Sequence, residues 1–290
     1  MDHRRFLHTA IASLGGCIAL LHCDGTQAGG SVVVTIVGNK AQAAITLPAP
    51  VGNYTAEFEL EFESPQNLTA ACLGITADVL DAGEIASIES RLPPNQVIDP
   101  AFPVRIVVEP PYTSPGCNLW FYYDVKVDLD TPNLTFAAYS PYRLAKAPHD
   151  GVSAFHDLTA EVLAGSVRVR GSAGGFSEFV VAKDQLQDYS SIAMQGYLAL
   201  ESRLNDPAIG LTAQLTLQTD LAISRAAFAA GNYTQAISHL DDLDYHCAVL
   251  GGPALPNIWR ASRDLVNAEG EVVGFTGNIR FALGRLNGSP

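Results

Sequence analysis

Tyr54-Thr55-Ala56-Glu57-Phe58-Glu59-Leu60-Glu61-Phe62-Glu63 alternates apolar and polar residues without a break, and every polar one after Thr55 is acidic. Successive side chains of a strand point to opposite faces, so Phe58, Leu60 and Phe62 share one face and Glu57, Glu59, Glu61 and Glu63 the other. A helix would scatter both sets around its circumference. The segment therefore predicts a strand with one side in a core and four carboxylates in solvent. Residues 118–130 repeat the pattern over a longer run. Leu119, Phe121, Tyr123, Val125, Val127 and Leu129 point one way; Trp120, Tyr122, Asp124, Lys126, Asp128 and Asp130 point the other. One-sided burial of this kind is the mark of antiparallel sheet.

Working outward, residues 31–38 and 42–47 flank Asn39-Lys40, read as a hairpin turn. Further strands are expected over 72–80, 102–109 and 135–144. Residues 166–170 and 176–181 look like a final hairpin around Gly171-Ser172-Ala173-Gly174-Gly175. Pro and Gly punctuate this half and no long helical pattern interrupts it, so 29–188 is predicted to be an antiparallel β-sandwich. From Ser190 the period changes to 3.6. Ile192, Leu198 and Leu200 open a helix that stops near Asn205-Asp206-Pro207. A second helix over 209–230 offers Leu211, Leu215, Ile223 and Ala226 as its apolar stripe. A third over 233–249 offers Ala236, Ile237, Leu240 and Leu243. Residues 257–286 resume the period with Trp259, Leu265, Val272, Ile279, Leu283 and Leu286, against several glycines. The class is α+β: an N-terminal sandwich followed by an α-helical bundle over 189–290.

The N-terminus reads as an export signal over 1–28. Met1-Asp2-His3-Arg4-Arg5 is a short basic opening, and from Phe6 to Leu21 no side chain is charged apart from His8. A permanent bilayer span needs about 20 apolar residues, so the run fits a signal peptide instead. Thr26-Gln27-Ala28 places small residues where a signal peptidase reads them, which predicts cleavage between Ala28 and Gly29. Leu14-Gly15-Gly16-Cys17 also matches a lipobox, with lipid on Cys17, but the apolar residues after Cys17 continue the run where a lipidated cysteine begins a polar tether. Arg4-Arg5-Phe6-Leu7 lacks the extra residue of a twin-arginine signal. The chain holds 17 basic and 30 acidic side chains, a net charge of −13. Removal of 1–28 takes Arg4, Arg5, Asp2 and Asp24, so the balance is unchanged. Such a surface repels nucleic acid and anionic headgroups, and no later segment is apolar enough to cross a membrane. The expected setting is the periplasm or the medium.

Ala226-Ala227-Phe228-Ala229-Ala230-Gly231-Asn232-Tyr233-Thr234-Gln235-Ala236-Ile237 combines small residues with a Gly-x-Tyr-x-x-Ala turn, which lets two helices cross closely. Followed by the Gly251-Gly252-Pro253 break, it is similar to the FIMAH domain, a helical module appended to bacterial secreted and surface proteins. The block from Ala164 to Phe179, set before such helices, resembles a family of uncharacterised secreted bacterial proteins with this two-part layout. The resemblance implies architecture and a bacterial, exported setting, and it brings no catalytic residue with it.

The chemistry-bearing residues are few. Of the cysteines beyond residue 28, Cys72 and Cys117 fall in the strand-rich half and are the preferred disulfide, leaving Cys247 as a buried thiol. His239, Asp242 and His246 stand at i, i+3 and i+7 and share one helix face, so they are candidate ligands for a divalent metal. A polar outer face of a bundle is the default for them, supported by Asp241 and Asp244 alongside. Asp128, Asp130 and Asn133 crowd oxygens at a strand end and are candidate calcium ligands, with a solvated strand end as the plainer alternative. Arg168 and Arg170 alternate on one strand, as a clamp for an anion or as partners for the abundant acids. Adjacent pairs His149-Asp150 and His156-Asp157 fall in loops, where adjacency alone orients no triad. No Gly-x-Ser-x-Gly, His-Glu-x-x-His or phosphate-binding glycine loop is present in the sequence. Asn53, Asn67, Asn133, Asn232 and Asn287 open glycosylation sequons, which carry meaning only in a glycosylating host. The expectation is a non-enzymatic binding or surface-associated protein whose partner is a protein or surface glycan. An extracellular hydrolase or carbohydrate-active protein and a lipid-anchored envelope scaffold are the alternatives.

Overall fold

A computed structural model describes residues 30–136, 139–163 and 166–288; residues 1–28, expected to be an export signal, with Cys17 and the expected Ala28–Gly29 cleavage point, lie outside the described residues. In chain order the strands are β1 Ser31–Val37, β2 Lys40–Pro48, β3 Asn53–Gln66, β4 Ile75–Val79, β5 Gln96–Ile98, β6 Val104–Val108, β7 Trp120–Thr135, β8 Tyr142–Ala147, β9 His156–Asp157, β10 Thr159–Leu163, β11 Ser166–Ala173, β12 Glu178–Asp184 and β13 Ile258–Arg260. The helices are α1 Ala70–Leu73, α2 Ala82–Glu89, α3 Tyr189–Leu204, α4 Leu211–Ala229, α5 Tyr233–Leu250 and α6 Ala268–Leu286. The protein is thus α+β, with two antiparallel sheets and helices concentrated in the C-terminal part.

The first sheet runs β1-β2-β3-β7-β11-β10, with β13 also pairing β7; the second runs β4-β6-β12-β8-β9, with β5 also pairing β12. Phe58, Leu60 and Phe62 of β3 are buried together with Val125, Val127 and Leu129 of β7, and Ile106 and Phe179 of the second sheet join the same cluster. Across that core Phe58 and Phe179 lie 5.4 Å apart, and Phe62 stands 5.4 Å from Phe121. The acidic positions of both long strands face outward. Alternation breaks at Tyr123, whose φ of 57° marks a register shift between β3 and β7; its carbonyl accepts from the Asn267 amide.

Several expectations change. Strand β7 runs through Asp128, Asp130 and Asn133 to Thr135, so these do not mark a strand end; β8 replaces the strand expected over 135–144; and Leu198 of the first helical stripe is exposed. The first turn is Gly38-Asn39, because a two-residue hairpin that opens on positive φ needs glycine there, and Gly38 has φ 63°. The segments 166–170 and 176–181 do not form a hairpin: β11 pairs with β7 and β10 while β12 lies in the other sheet, so Gly174-Gly175 is a crossing between sheets. Gly175 is pressed against the Trp259 indole, where a Cβ would sit 2.5 Å from the ring. On α4 the stripe is the opposite one. Leu211, Leu215 and Ile223 are exposed, and Ala213, Leu217, Leu221 and Ser224 face inward. Finally, 257–286 begins with a strand: Trp259 of β13 is buried in the sheet core, stacked on Phe121 at 5.4 Å and edge-on to Phe176 at 4.7 Å.

Helices α3 to α6 bury a second cluster that includes Tyr197, Leu200, Leu217, Leu240, Leu243, Ile279 and Leu283. Cys247 is buried within it as a free thiol. Helix α6 also lies on β7, β10 and β11. Its glycines make that approach. A Cβ at Gly270 would stand 2.6 Å from the Tyr123 carbonyl oxygen, and one at Gly274 would collide with the Ser172 carbonyl. Among the described residues, no helix is long and apolar enough to cross a membrane.

Candidate functional site

The outer face of the first sheet carries charge in register. Gln42, Glu59, Asp128, Arg170 and Glu161 are successive cross-strand neighbours from β2 to β10. The next row along holds Lys40, Glu61, Lys126 and Ser172. Glu59 directly opposite Asp128 is a like-charge pair that costs free energy by itself. Both carboxylates are compensated. Lys40 Nζ reaches Glu59 at 2.9 Å and Glu61 at 3.0 Å, and the Gln42 amide donates to Glu59 at 2.8 Å. Hydrogen bonds from Gln42 and Lys40 hold the Glu59 carboxyl below the usual range. Asp128 receives Arg168 and Arg170, each at 2.7 Å, and Arg170 also donates to Glu161 at 2.9 Å. These side chains border an open groove of about 540 Å³.

A second groove, of about 260 Å³, opens on the other sheet between Glu84, Arg91, Arg105, His149, Asp150 and Glu178. Glu178 is almost wholly buried and bonds Arg91 at 2.7 Å, with Arg105 4.0 Å away. Arg91 lies over the Phe155 ring at 4.8 Å. His149 turns to Glu109 at 3.0 Å. Asp150 is held at about 2 by bonds from the Ser153 hydroxyl and from the Ser153 and Val152 amides.

A third, small cavity of about 40 Å³ lies at the seam between sheet and helices, lined by Gln96, His156, Asp157, Gln195, Asn278 and two phenylalanines. Burial pushes the Asp157 carboxyl up, and Arg143 opposes the shift. Burial pushes the His156 imidazole down. Arg143 is fully buried, 3.4 Å from Asp184 and 3.9 Å from Asp157.

The residues singled out from the sequence fall in different places. Cys72 and Cys117 are joined by a disulfide. His239 lies 3.3 Å from Asp242, while His246 turns to Asp220 of α4 at 2.7 Å. Asp244 and Asp241 contact Arg280 of α6. Asp128 belongs to the arginine cluster, whereas Asn133 accepts the Thr55 amide at 2.8 Å and stitches β7 to β3. No group of three or more His, Cys, Asp or Glu suited to a metal occurs among the described residues. Arg91, Arg143 and Glu178 escaped sequence reading. Their partners are distant in sequence, and only the pairing within the second sheet and the return of the chain after α2 bring Arg91 to Glu178 and Arg143 to Asp184.

The fold and these polar faces define a two-sheet α+β protein with a charged sheet surface and a docked helical part. The chain belongs to a family of unknown function, DUF6689, which covers residues 17–287. No curated protein and no solved structure matches it.

Proposed function

We propose that this is an exported, non-enzymatic binding protein whose ligand face is the outer surface of the first sheet. In this reading the two sheets pack as a β-sandwich, and the C-terminal helices form a FIMAH-like bundle set against it. The observation that carries the proposal is the cross-strand row from Glu59 to Glu161, which sets ion-paired charges of both signs around an open groove. Arg168 and Arg170 are fixed on Asp128 and still between a third and two-fifths exposed, so their remaining donors are prepared for acceptors of a polar ligand. A surface glycan or a polar protein segment fits such a face. Export to the periplasm or medium of a bacterial cell is supported by the leader over 1–28 and by the Cys72–Cys117 disulfide, which oxidising compartments sustain.

Binding of the purified protein to cell-surface glycans and envelope proteins tests this directly. Arg168→Ala/Arg170→Ala is expected to lower retention at least tenfold in protein that circular dichroism shows to be folded at the assay temperature, although leaving Asp128 uncompensated beside Glu59 lowers its thermal midpoint. Retention that the double variant leaves unchanged, or no retention on either material, overturns it. Mass spectrometry of the mature N-terminus separates cleavage before Gly29 from a lipid on Cys17.

A hydrolytic reading has one specific observation in its favour: His149, Asp150, Glu84 and Glu178 gather around one groove. Its test is turnover of ester and glycoside substrates by the wild type and its loss in His149→Ala.

A further inference from the structure

We propose that β1 is a docking edge for the β1 strand of a second copy of this chain. Along their main paths the two sheets end in four edges, β1 and β10 in one and β4 and β9 in the other; β13 and β5, off these paths, are only three residues each. Unpaired edges invite other strands, and proteins blunt them with charge, bulges or shortness. Three of the four are blunted here. Strand β9 has only two residues. Strand β10 carries Glu161, and its pairing slips between Thr159 and Glu161. Strand β4 is short and carries Asp78, bonded to Arg105 at 2.8 Å.

Strand β1 is different. Ser31-Val32-Val33-Val34-Thr35-Ile36-Val37 has no charge, no proline and an unbroken register with β2. The two-residue turn makes Val37 and Lys40 the closing hydrogen-bonded pair. The N–H and C=O groups of Val32, Val34 and Ile36 therefore point away from β2. Among the described residues they meet no backbone partner. Val37 remains 63 % exposed.

Self-pairing fits the sequence and the charge. A two-fold axis through Val34 sets Val34 against its copy, Val32 against Ile36 and Val33 against Thr35. All are β-branched combinations that favour cross-strand packing. The net charge of −13 opposes self-association over most of the surface. From Ser31 to Pro48 the hairpin β1–β2 contains one charged side chain, Lys40, so two copies meet there without acid facing acid. A single edge of this length buries less than a standard interface, which places the dimer in the weak, concentration-dependent class.

Sedimentation equilibrium from about 5 to 500 µM tests the proposal with the intact protein. The wild type is expected to move from monomer towards dimer as concentration rises. Val34→Pro removes the outward N–H without touching a β1–β2 bond, and is expected to weaken dimerisation at least tenfold. Thr35→Glu, on the exposed face, supplies a second variant that leaves the backbone intact; it is expected to weaken the dimer in a salt-sensitive manner. Far-UV and near-UV spectra check that each variant is folded, and Thr35→Glu decides if Val34→Pro is not. A wild type that stays monomeric, or a dimer that a folded variant leaves unchanged, overturns the proposal.

Discussion

Glu269 occupies the second position of α6, only 4 % exposed, with its Oε2 buried and unpartnered. Burial pushes its carboxyl up to about 7; a hydrogen bond from Asn257 opposes the shift, and Asp124 and Glu63 add to it. A carboxyl whose folded value lies above its unfolded one near 4.5 favours folding most when it is protonated. That contribution is full below about pH 4.5 and is lost as pH rises through 7, on the order of 2–3 kcal/mol. Glu269→Gln is expected to flatten this part of the stability profile and to raise the denaturation midpoint at pH 8, measured by urea titration at several pH values. Arg143 shows the opposite dependence on a partner. Its guanidinium lies over the Tyr189 ring of α3 at 5.4 Å and the Phe281 ring of α6 at 5.3 Å, two rings that meet edge-on, while facing Asp184 and Asp157. Removing one member of a buried pair leaves the other uncompensated, at about 3–5 kcal/mol. Arg143→Ala is expected to fall in that range, and Arg143→Ala/Asp184→Ala to recover part of it.

At the level of elements, α6 inverts the usual account of glycine. A helix interior prefers alanine to glycine by about 1 kcal/mol, which is why Gly270, Gly274 and Gly277 weaken the helical signal in the sequence. Gly270 and Gly274 meet strand backbone, however, and Gly277 the Ala160 side chain; a methyl group at Gly274 would strike the Ser172 carbonyl. Gly274→Ala is therefore expected to destabilise by about 1–3 kcal/mol despite the better propensity, as read by chemical denaturation. The same contrast explains which parts of the fold were legible. Alternation in β3 and β7 was readable because one face of each is core and the other solvent. The 3.6 period of α5 was readable for the same reason, whereas on α3 Ile192 and Leu200 are buried and Leu198 is exposed. On α4 the exposed leucines misled, since small Ala213 and Ser224 take the buried positions where α4 meets its neighbours. The short helix α2 left a signal that composition hides: Asp81 and Glu84 form a capping box, with Asp81 accepting the Glu84 amide at 2.8 Å and Glu84 accepting the Asp81 amide at 3.0 Å. The charged face was half legible. Alternation placed its acids outward, but only the register of β11 on β7 brings Arg168 and Arg170 onto Asp128.

Across the whole molecule, the C-terminal part reaches back into the sheets and divides the chain differently from the change of period near residue 189. Trp259 and Ala261 follow three helices in sequence yet are buried in the sheet core. Strand β13 pairs with β7, Asn278 of α6 donates to the Thr159 carbonyl at 3.2 Å, and Arg143 of β8 lies over rings of α3 and α6. Two units joined this way expose each other's apolar surface when either opens, so both are expected to unfold in one cooperative step. Trp259→Ala is the sharpest probe. It removes an indole stacked on Phe121 and edge-on to Phe176, and large-to-small changes of this kind cost about 3–5 kcal/mol. Although the residue belongs to the sheet core, the loss is expected to lower the helical signal at 222 nm and the near-UV signal of the sheet aromatics at the same temperature. A calorimetric scan should give one transition whose calorimetric and van't Hoff enthalpies agree, in the wild type and the variant alike. Separate transitions, with the helices holding their own midpoint while the sheet melts early, would mean that β13 and α6 are tethers between two independent domains.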